Sequence, residues 1–489
     1  MASQLPSDQE NLSEQLQLLQ ELGCAAVRQA ARVHSNRDFR SSNTNTDIRI
    51  LDTIALSLTT GKPGGVVAAA FDRREHLCLV LAKNGAPTPE DESAAQRFIS
   101  AITNPATRSG CDLFPFLLSR CRANMDKRIA NLHKSISNFC DLDLDSALLK
   151  YMPRSTEEKF PHSLFYREMM YLDAEPSFHA IISDLVHGCS NNSTFELNPD
   201  NISSSWAQYA KLYVVADILA HTCFLKELTS SNSACRERAE RLKWCLTKVC
   251  QYIDGIDHLI WKVKRWFPNG QIPYRWVNDS FIGTGEGTFE LRDDPMDAVW
   301  RGFGSHSPLS AQTLHTLAEK FPDIARNWEQ QRTVTPCIHA EIRIILHLSS
   351  SLLPYESRLE TIQEQPAQQA IGCSKRSCFC CTLWIDAYND FFGTRWVTSR
   401  SHGKPYANFG LPGAACEHAM GQDGRSAVDG AVLRGVSIWL KDSLAWLFPG
   451  QRRISDEYVS SSDESSGEED WRGALMQRIL DTMWKKNSH

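Results

Sequence analysis

The chain has 489 residues, 42% of them apolar and 22% charged, which is enough to bury a large core and excludes wholesale disorder. Its formal charge of −6 excludes general electrostatic capture of polynucleotides, which rests on surplus Lys and Arg, so a strand would have to be met by a local basic patch. The sixteen cysteines are scattered, no apolar signal region opens the chain, and no run of about eighteen apolar residues is present. The expectation is an intracellular protein, cytoplasmic or nuclear, with no membrane span. In such a protein clustered cysteine points to metal or catalysis rather than to disulfides.

In chain order, residues from about 8 to 34 read as an amphipathic helix through Leu12, Leu16, Leu19 and Leu22. A β-hairpin follows. Val66 to Phe71 is an apolar run, Asp72 to Glu75 a charged turn, and His76 to Ala82 alternates, with Asn84-Gly85 closing the unit. From about 95 to 325 the pattern is mainly helical, with long periodic segments at Ser205 to Leu225, Arg236 to Phe267 and Ser310 to Gln331. A glycine cluster at Gly283, Gly285 and Gly287 lacks the Gly-Lys-Ser/Thr of a phosphate loop and reads as a turn.

The chemistry-bearing signals lie farther on. Cys337-Ile338-His339-Ala340-Glu341 leads into an apolar helix through Ile342, Ile345 and Leu348. About thirty residues later Ala370 to Cys373 reads as a short strand. It is followed by Ser377-Cys378-Phe379-Cys380-Cys381 and a second apolar helix through Leu383, Trp384 and Tyr388. One helix therefore opens on H-x-E and the next on C-x-x-C.

That order suits a catalytic zinc site with three protein ligands. Cys378 and Cys381 share a helix face, and the helix N-terminus favours their thiolates. His339 supplies a nitrogen. Glu341, two residues on, stands beside the metal and is placed to take a proton from the attacking water and pass it to a leaving nitrogen. Two alternatives stay open: an ordinary polar helix start at His339 and Glu341, and a closed structural site with Cys373 or Cys380 as fourth ligand.

Thr394 to Ser399 reads as the next strand, with Arg395 and Trp396 at its start, and the loop after it holds Arg400, His402, Lys404 and Tyr406. Cations interleaved with aromatics suit a base and a phosphate, although a solvated loop gives the same pattern. Ala431 to Phe448 reads as a closing helix. Ser455 to Asp470 is rich in Ser and acid and reads as a solvated linker. The last segment recovers helical spacing through Leu475, Ile479, Leu480 and Met483, and docks either onto this protein or onto a protein partner.

The H-A-E helix, strand and C-x-x-C helix resemble the cytidine-deaminase-like superfamily. Ile371 to Cys378 with the later Ser401-His402-Gly403-Lys404 resembles a fungal branch related to bacterial toxin-type nucleic acid and nucleotide deaminases. One departure is Ser377, where superfamily members commonly have Pro; serine is itself a good N-cap. The resemblance implies an α/β three-layer core, a mixed sheet with helices, opened by a β-hairpin. It also implies that Asn84 contacts a nucleoside sugar if the 66–82 hairpin pairs into that sheet; the alternative is a separate N-terminal unit.

The organisation expected is a helical segment at 1–60, the hairpin at 61–90, a helical elaboration at 91–330 and a zinc domain at 331–450. An acidic linker at 451–470 and a short amphipathic helix at 471–489 close the chain. The function expected is a Zn2+-dependent hydrolytic deaminase acting on a nucleobase, cytosine foremost, of a nucleoside, nucleotide or single-stranded nucleic acid. Glu341 is the catalytic group and His339, Cys378 and Cys381 are the metal ligands. Asn84, Arg395, Trp396, His402 and Lys404 are the candidate substrate contacts. The alternative is an inactive, zinc-stabilised scaffold.

Overall fold

The computed structural model describes residues 7–23, 42–62, 64–140, 147–148, 151, 178–230, 235–267, 270–278, 287–292, 294–302, 311–350, 368–399, 401–413 and 426–448. The acidic linker, the C-terminal amphipathic segment, Gly283, Gly285 and Arg400 lie outside the described residues.

Helix α1, Asp8–Glu21, opens on a reciprocal capping box between Ser7 and Glu10. It ends at Glu21 rather than near residue 34, because Leu22 caps it and Gly23 turns to a φ of 75°. Helix α2 is Ser42–Leu58. The hairpin then forms as strands β1, Val67–Asp72, and β2, Cys78–Lys83, in antiparallel register with Val67 opposite Lys83.

Helices α3, Pro89–Thr103, α4, Gly110–Cys140, and α5, Phe178–Asn191, follow. The segment expected as one helix from Ser205 to Leu225 is two, α6, Ile202–Ala220, and α7, Cys223–Ser230. Thr222 makes the break, its hydroxyl accepting from the Leu225 amide. Helix α8 is Arg236–Trp266.

Next come β3, Tyr274–Trp276, β4, Phe289–Glu290, α9, Pro295–Gly302, α10, Ala311–Lys320, α11, Ile324–Gln330, and β5, Thr333–Val334. The single helix expected from Ser310 to Gln331 is thus divided into α10 and α11. The motif region supplies α12, Ala340–Ser350, β6, Gln369–Cys373, α13, Phe379–Phe392, β7, Trp396–Thr398, and α14, Ala427–Leu447.

Five strands form one mixed sheet in the order β3-β2-β1-β6-β7. Strand β1 pairs antiparallel with both β2 and β6, whereas β3 joins β2 and β7 joins β6 in parallel. The hairpin therefore lies in the sheet that carries the C-x-x-C helix, with the chain from α3 to β5 running between them. β3 is a strand inside a region whose sequence reads as helical.

Side chains alternate across the sheet, and both faces are buried. Val67, Ala69, Leu79 and Leu81 face one core, shared with helices α2 to α8. Ala68, Ala70, Val80 and Ala82 face the other, shared with α1, α9, α10, α11, α12, α13 and α14. The molecule is thus three layers, helices on a sheet on helices. Full burial of each Leu or Val in these faces contributes roughly 1.5–3 kcal/mol, so the register is fixed twice over.

Helix α2 lies directly on β6. A Cβ on Gly372 would stand 2.1 Å from the Leu51 carbonyl carbon, and the Cys373 amide donates to Asp52 Oδ1 at 2.7 Å. That contact holds the strand leading to Cys378. Among the described residues no helix is long and apolar enough to cross a membrane.

Candidate functional site

The site is assembled where α12 and α13 begin, on the face of the sheet opposite α2. Helix α12 is apolar nearly all round, with Ile342, Ile344, Ile345 and Leu346 at 1% exposure or less, as a helix enclosed on all sides must be. Its first amide, Ala340 N–H, donates to Asn84 Oδ1 at 2.9 Å. The residue after the hairpin thus caps the helix that carries the motif, one residue from His339.

Helix α13 is capped by Cys378 itself, in extended conformation, with its sulfur accepting from the Cys381 amide at 3.3 Å. The cap expected at Ser377 is therefore one residue later. Ser377 instead anchors the loop beyond β7, its carbonyl accepting from the His402 amide at 3.1 Å and from the Ser401 hydroxyl at 3.0 Å. Its buried hydroxyl has no partner among the described residues.

These two helix starts bring three donors together. His339 Nδ1 is 3.2 Å from Cys381 Sγ and 3.5 Å from Cys378 Sγ, and the two sulfurs are 3.4 Å apart. Tetrahedral zinc bonds of about 2.05 Å to nitrogen and about 2.3 Å to sulfur place such donors about 3.6 and 3.8 Å apart. The triangle is therefore slightly tighter than a loaded site and needs only tenths of an ångström to open. The group is buried and comprises His339, Cys378 and Cys381. Neither Cys373 nor Cys380 belongs to it, which removes the ground for a closed four-ligand site and leaves a three-ligand set. The residues fit a zinc ion by donor type, number and spacing.

The electrostatics favour the ligating form of sulfur. Burial alone would raise the Cys378 thiol, but hydrogen bonding from Cys381 and the charge of His339 hold it well below the ordinary thiol range. Burial works to lower His339, yet the Cys378 sulfur and the hydrogen bond to Cys337 push it well up. Burial lifts Cys381.

Glu341 is 3% exposed and its Oε2 has no partner among the described residues. A buried, unpartnered carboxylate oxygen costs about 1–3 kcal/mol or more, so its retention calls for a ligand or a chemical role. Burial lifts its carboxyl above the usual range, with His339 working against the lift.

The loop at 401–411 forms one wall. The Phe409 ring meets His339 edge-on at 5.4 Å. Gly410 passes so close to Cys337 that a Cβ would stand 2.8 Å from the Cys337 carbonyl carbon. The loop is fastened by α1, which the sequence did not connect with the site. Gln9 Nε2 donates to the Phe409 carbonyl at 2.9 Å, the Leu411 amide donates to Gln9 Oε1 at 2.8 Å, and Ser13 donates to the Ala407 carbonyl at 2.7 Å. Nothing in the local pattern of α1 signals these bonds, since their partners lie near the other end of the chain.

The substrate candidates divide. His402 is not a cation. Burial drops its imidazole to about 4, and its Nδ1 accepts from the Lys404 amide at 3.0 Å, so the ring is neutral near pH 7. Lys404 is exposed, its carbonyl accepting from the Phe379 amide at 3.1 Å. Trp396 is 4% exposed in the core, because the strand pleat sends Arg395 outward and Trp396 inward. Trp396, expected as a substrate contact, is instead packed in the core.

Residues 338–413 match the family model described as OTT_1508_deam-like deaminase. This stretch contains His339, Glu341, Cys378, Cys381 and the Phe409 loop, and the match is to a deaminase family of the cytidine-deaminase-like kind. No match was found among curated proteins or among solved structures.

Proposed function

We propose that this chain is a zinc-dependent hydrolase that removes the exocyclic amine from a nucleobase, cytosine foremost, in a nucleoside, nucleotide or single-stranded nucleic acid. One observation carries the reading: the unpartnered, buried carboxylate oxygen of Glu341 lies two residues from a triad of metal-type donors. The similarity of residues 338–413 to a deaminase family supports it, and kinship to the fungal, toxin-related branch belongs to the same reading.

Zinc held by His339, Cys378 and Cys381 would supply Lewis-acid activation of water near neutral pH. Glu341 takes the proton of the attacking water and returns it to the departing amine. A C–O bond forms, the C–N bond breaks, and the nitrogen leaves as ammonia. A carboxyl lifted by burial suits a group that alternates between acid and base. Asn84 uses Oδ1 on the Ala340 amide and keeps its Nδ2 for a sugar hydroxyl. Exposed Lys404 and Arg395 offer charge to phosphate, and His402 offers a neutral hydrogen bond.

The test is mass spectrometry of cytidine, deoxycytidine, single-stranded DNA and RNA incubated with the purified chain. A gain of about one dalton, absent with Glu341→Ala, is the expected result for amine replaced by oxygen. No conversion of any substrate, with zinc stoichiometric in the protein, overturns the enzyme reading in favour of a zinc-stabilised scaffold.

A further inference from the structure

A second group of metal-type donors lies in the helical layer, on the other face of the sheet. Asp217 and His221 are one turn apart at the end of α6, and Cys250 and Asp254 are one turn apart on α8. Residues at that spacing share a helix face. The two helices pack together, with Tyr209 of α6 donating to the Val249 carbonyl of α8 at 2.7 Å. One carboxylate oxygen from Asp217, one from Asp254 and the sulfur of Cys250 all lie within 4.8 Å of one another.

Hydrogen bonding accounts for only part of this arrangement. Tyr213 donates to Asp254 Oδ1 at 2.5 Å, and His221 Nδ1 meets Asp217 Oδ1 at 3.0 Å. Those contacts occupy one oxygen of each carboxylate. The Cys250 sulfur is left over. Cys250 is 4% exposed, is a free thiol aimed into the group, and makes no hydrogen bond to another side chain among the described residues. Asp217 is 8% exposed, and His221 is the one ion-pair partner of these two carboxylates among the described residues. A buried and a half-buried carboxylate facing a buried sulfur call for a cation between them, because charges taken out of water must be paired or must hold a metal.

The donor chemistry narrows the cation. Magnesium and calcium take oxygen ligands, whereas a thiolate combined with carboxylates selects a borderline-soft transition ion. Metal sites in helical bundles are built in this way, from inward side chains on facing helices. We propose that Asp217, Cys250 and Asp254 bind a divalent transition-metal ion, zinc by donor type, which ties α6 to α8. His221 orients the Asp217 carboxylate from outside the site. Binding forms a metal–sulfur bond and releases the Cys250 thiol proton to solvent, so loading strengthens as pH rises. This site is separate from the His339 triad and does not depend on the deaminase reading.

The experiment is elemental analysis of the full chain, purified with zinc present and cleared of loosely bound metal. Cys250→Ser and the isosteric Asp254→Asn should each hold one equivalent less zinc than wild type. Cys245→Ser, which removes a buried thiol from the same helix outside the group, should leave zinc unchanged. The double variant His339→Ala/Cys378→Ser, which leaves the cluster intact, should retain one equivalent. Wild-type zinc content in both Cys250→Ser and Asp254→Asn, or no zinc in the double variant, overturns the proposal. Zinc lost only from the double variant leaves the His339 centre standing alone.

Discussion

The two faces of the central sheet both bury extensive apolar layers but differ in the kind of polar group they leave unmet. On the α2–α8 face, polar side chains brought inside find partners: Arg120 pairs with Asp91, Asp52 takes the Cys373 amide, and Tyr209 takes the Val249 carbonyl. The exceptions there among the described residues include the Ser135 hydroxyl and the Trp276 indole nitrogen, beside the Cys250 sulfur. On the α12–α13 face the unmet atoms include a carboxylate oxygen, Oε2 of Glu341, at the start of the helix that follows His339. Folding is served by satisfying buried groups. A carboxylate left unsatisfied at a helix N-terminus costs stability and is kept where a ligand completes it. The α2–α8 face thus acts as the frame, and the opposite face carries the candidate site.

The sharpest way to break this comparison is at the triad. Cys378→Ser should lose one equivalent of zinc together with turnover, whereas Glu341→Gln should keep the wild-type zinc content and lose about 10²–10⁴-fold in turnover, the usual share of general acid–base catalysis. Elemental analysis beside a deamination assay reads both. If Glu341→Gln keeps full activity, the carboxylate is a structural oddity.

The frame is next. Gly372→Ala would drive a methyl into the α2 backbone at Leu51 and Asp52, where neither strand nor helix can yield locally. A loss of about 3 kcal/mol or more is expected from such overpacking, read by denaturant unfolding. Gly287→Ala, whose new Cβ meets nothing within 4 Å, is the control and should unfold like wild type.

What the sequence made legible follows the same division. The motif helices could be read because their apolar periodicity and their ligand spacing are both local. The hairpin could be read because alternation and Asn84-Gly85 bracket it. Its place in the sheet could not, because the pairing of Ala68 with Cys373 spans the whole helical region. Strand β3 is three residues long and is made by its parallel partner Leu79–Leu81 rather than by its own pattern. Helix α2 opens on Ser, Asn and Thr, residues with low helix preference, and is held by packing on β6. His402 was counted among the cations because sequence shows residue type but not burial. Trp396 was counted among the substrate contacts for the same reason.

Helix α1 gives a smaller test. Gln9→Ala removes both hydrogen bonds that its amide makes to Phe409 and Leu411. Two buried backbone groups then lose partners, at about 1–3 kcal/mol each before water or local shifts compensate. The expected sign is faster hydrogen exchange confined to the loop around 406–411, with weaker zinc retention against a chelator, since Phe409 packs on His339. Gln9→Glu should restore the acceptor half and exchange at an intermediate rate. Exchange unchanged in both variants would mean that the loop is held by α12 and α13 alone.

The last effect is in the pH dependence of stability, absent at neutral pH and seen only on acidification, and its sign separates His402 from the buried acids. Burial holds the folded imidazole at about 4, below the ordinary value of 6.5, so between those limits the unfolded chain binds the proton and the folded chain does not. Stability from this residue is therefore present above pH 6.5 and is lost as pH falls toward 4. Asp254 and Asp429 act in the opposite sense: burial raises each from 3.8 to about 6, so they withdraw stability as pH rises through that interval. Melting temperatures of the zinc-free chain across pH 4 to 7 contain both trends. Replacing His402 with Asn should remove only the first, so that the difference between wild type and variant shrinks steadily on acidification. A constant difference across the whole range would place the His402 ring in solvent and restore it as a cation for the substrate's phosphate.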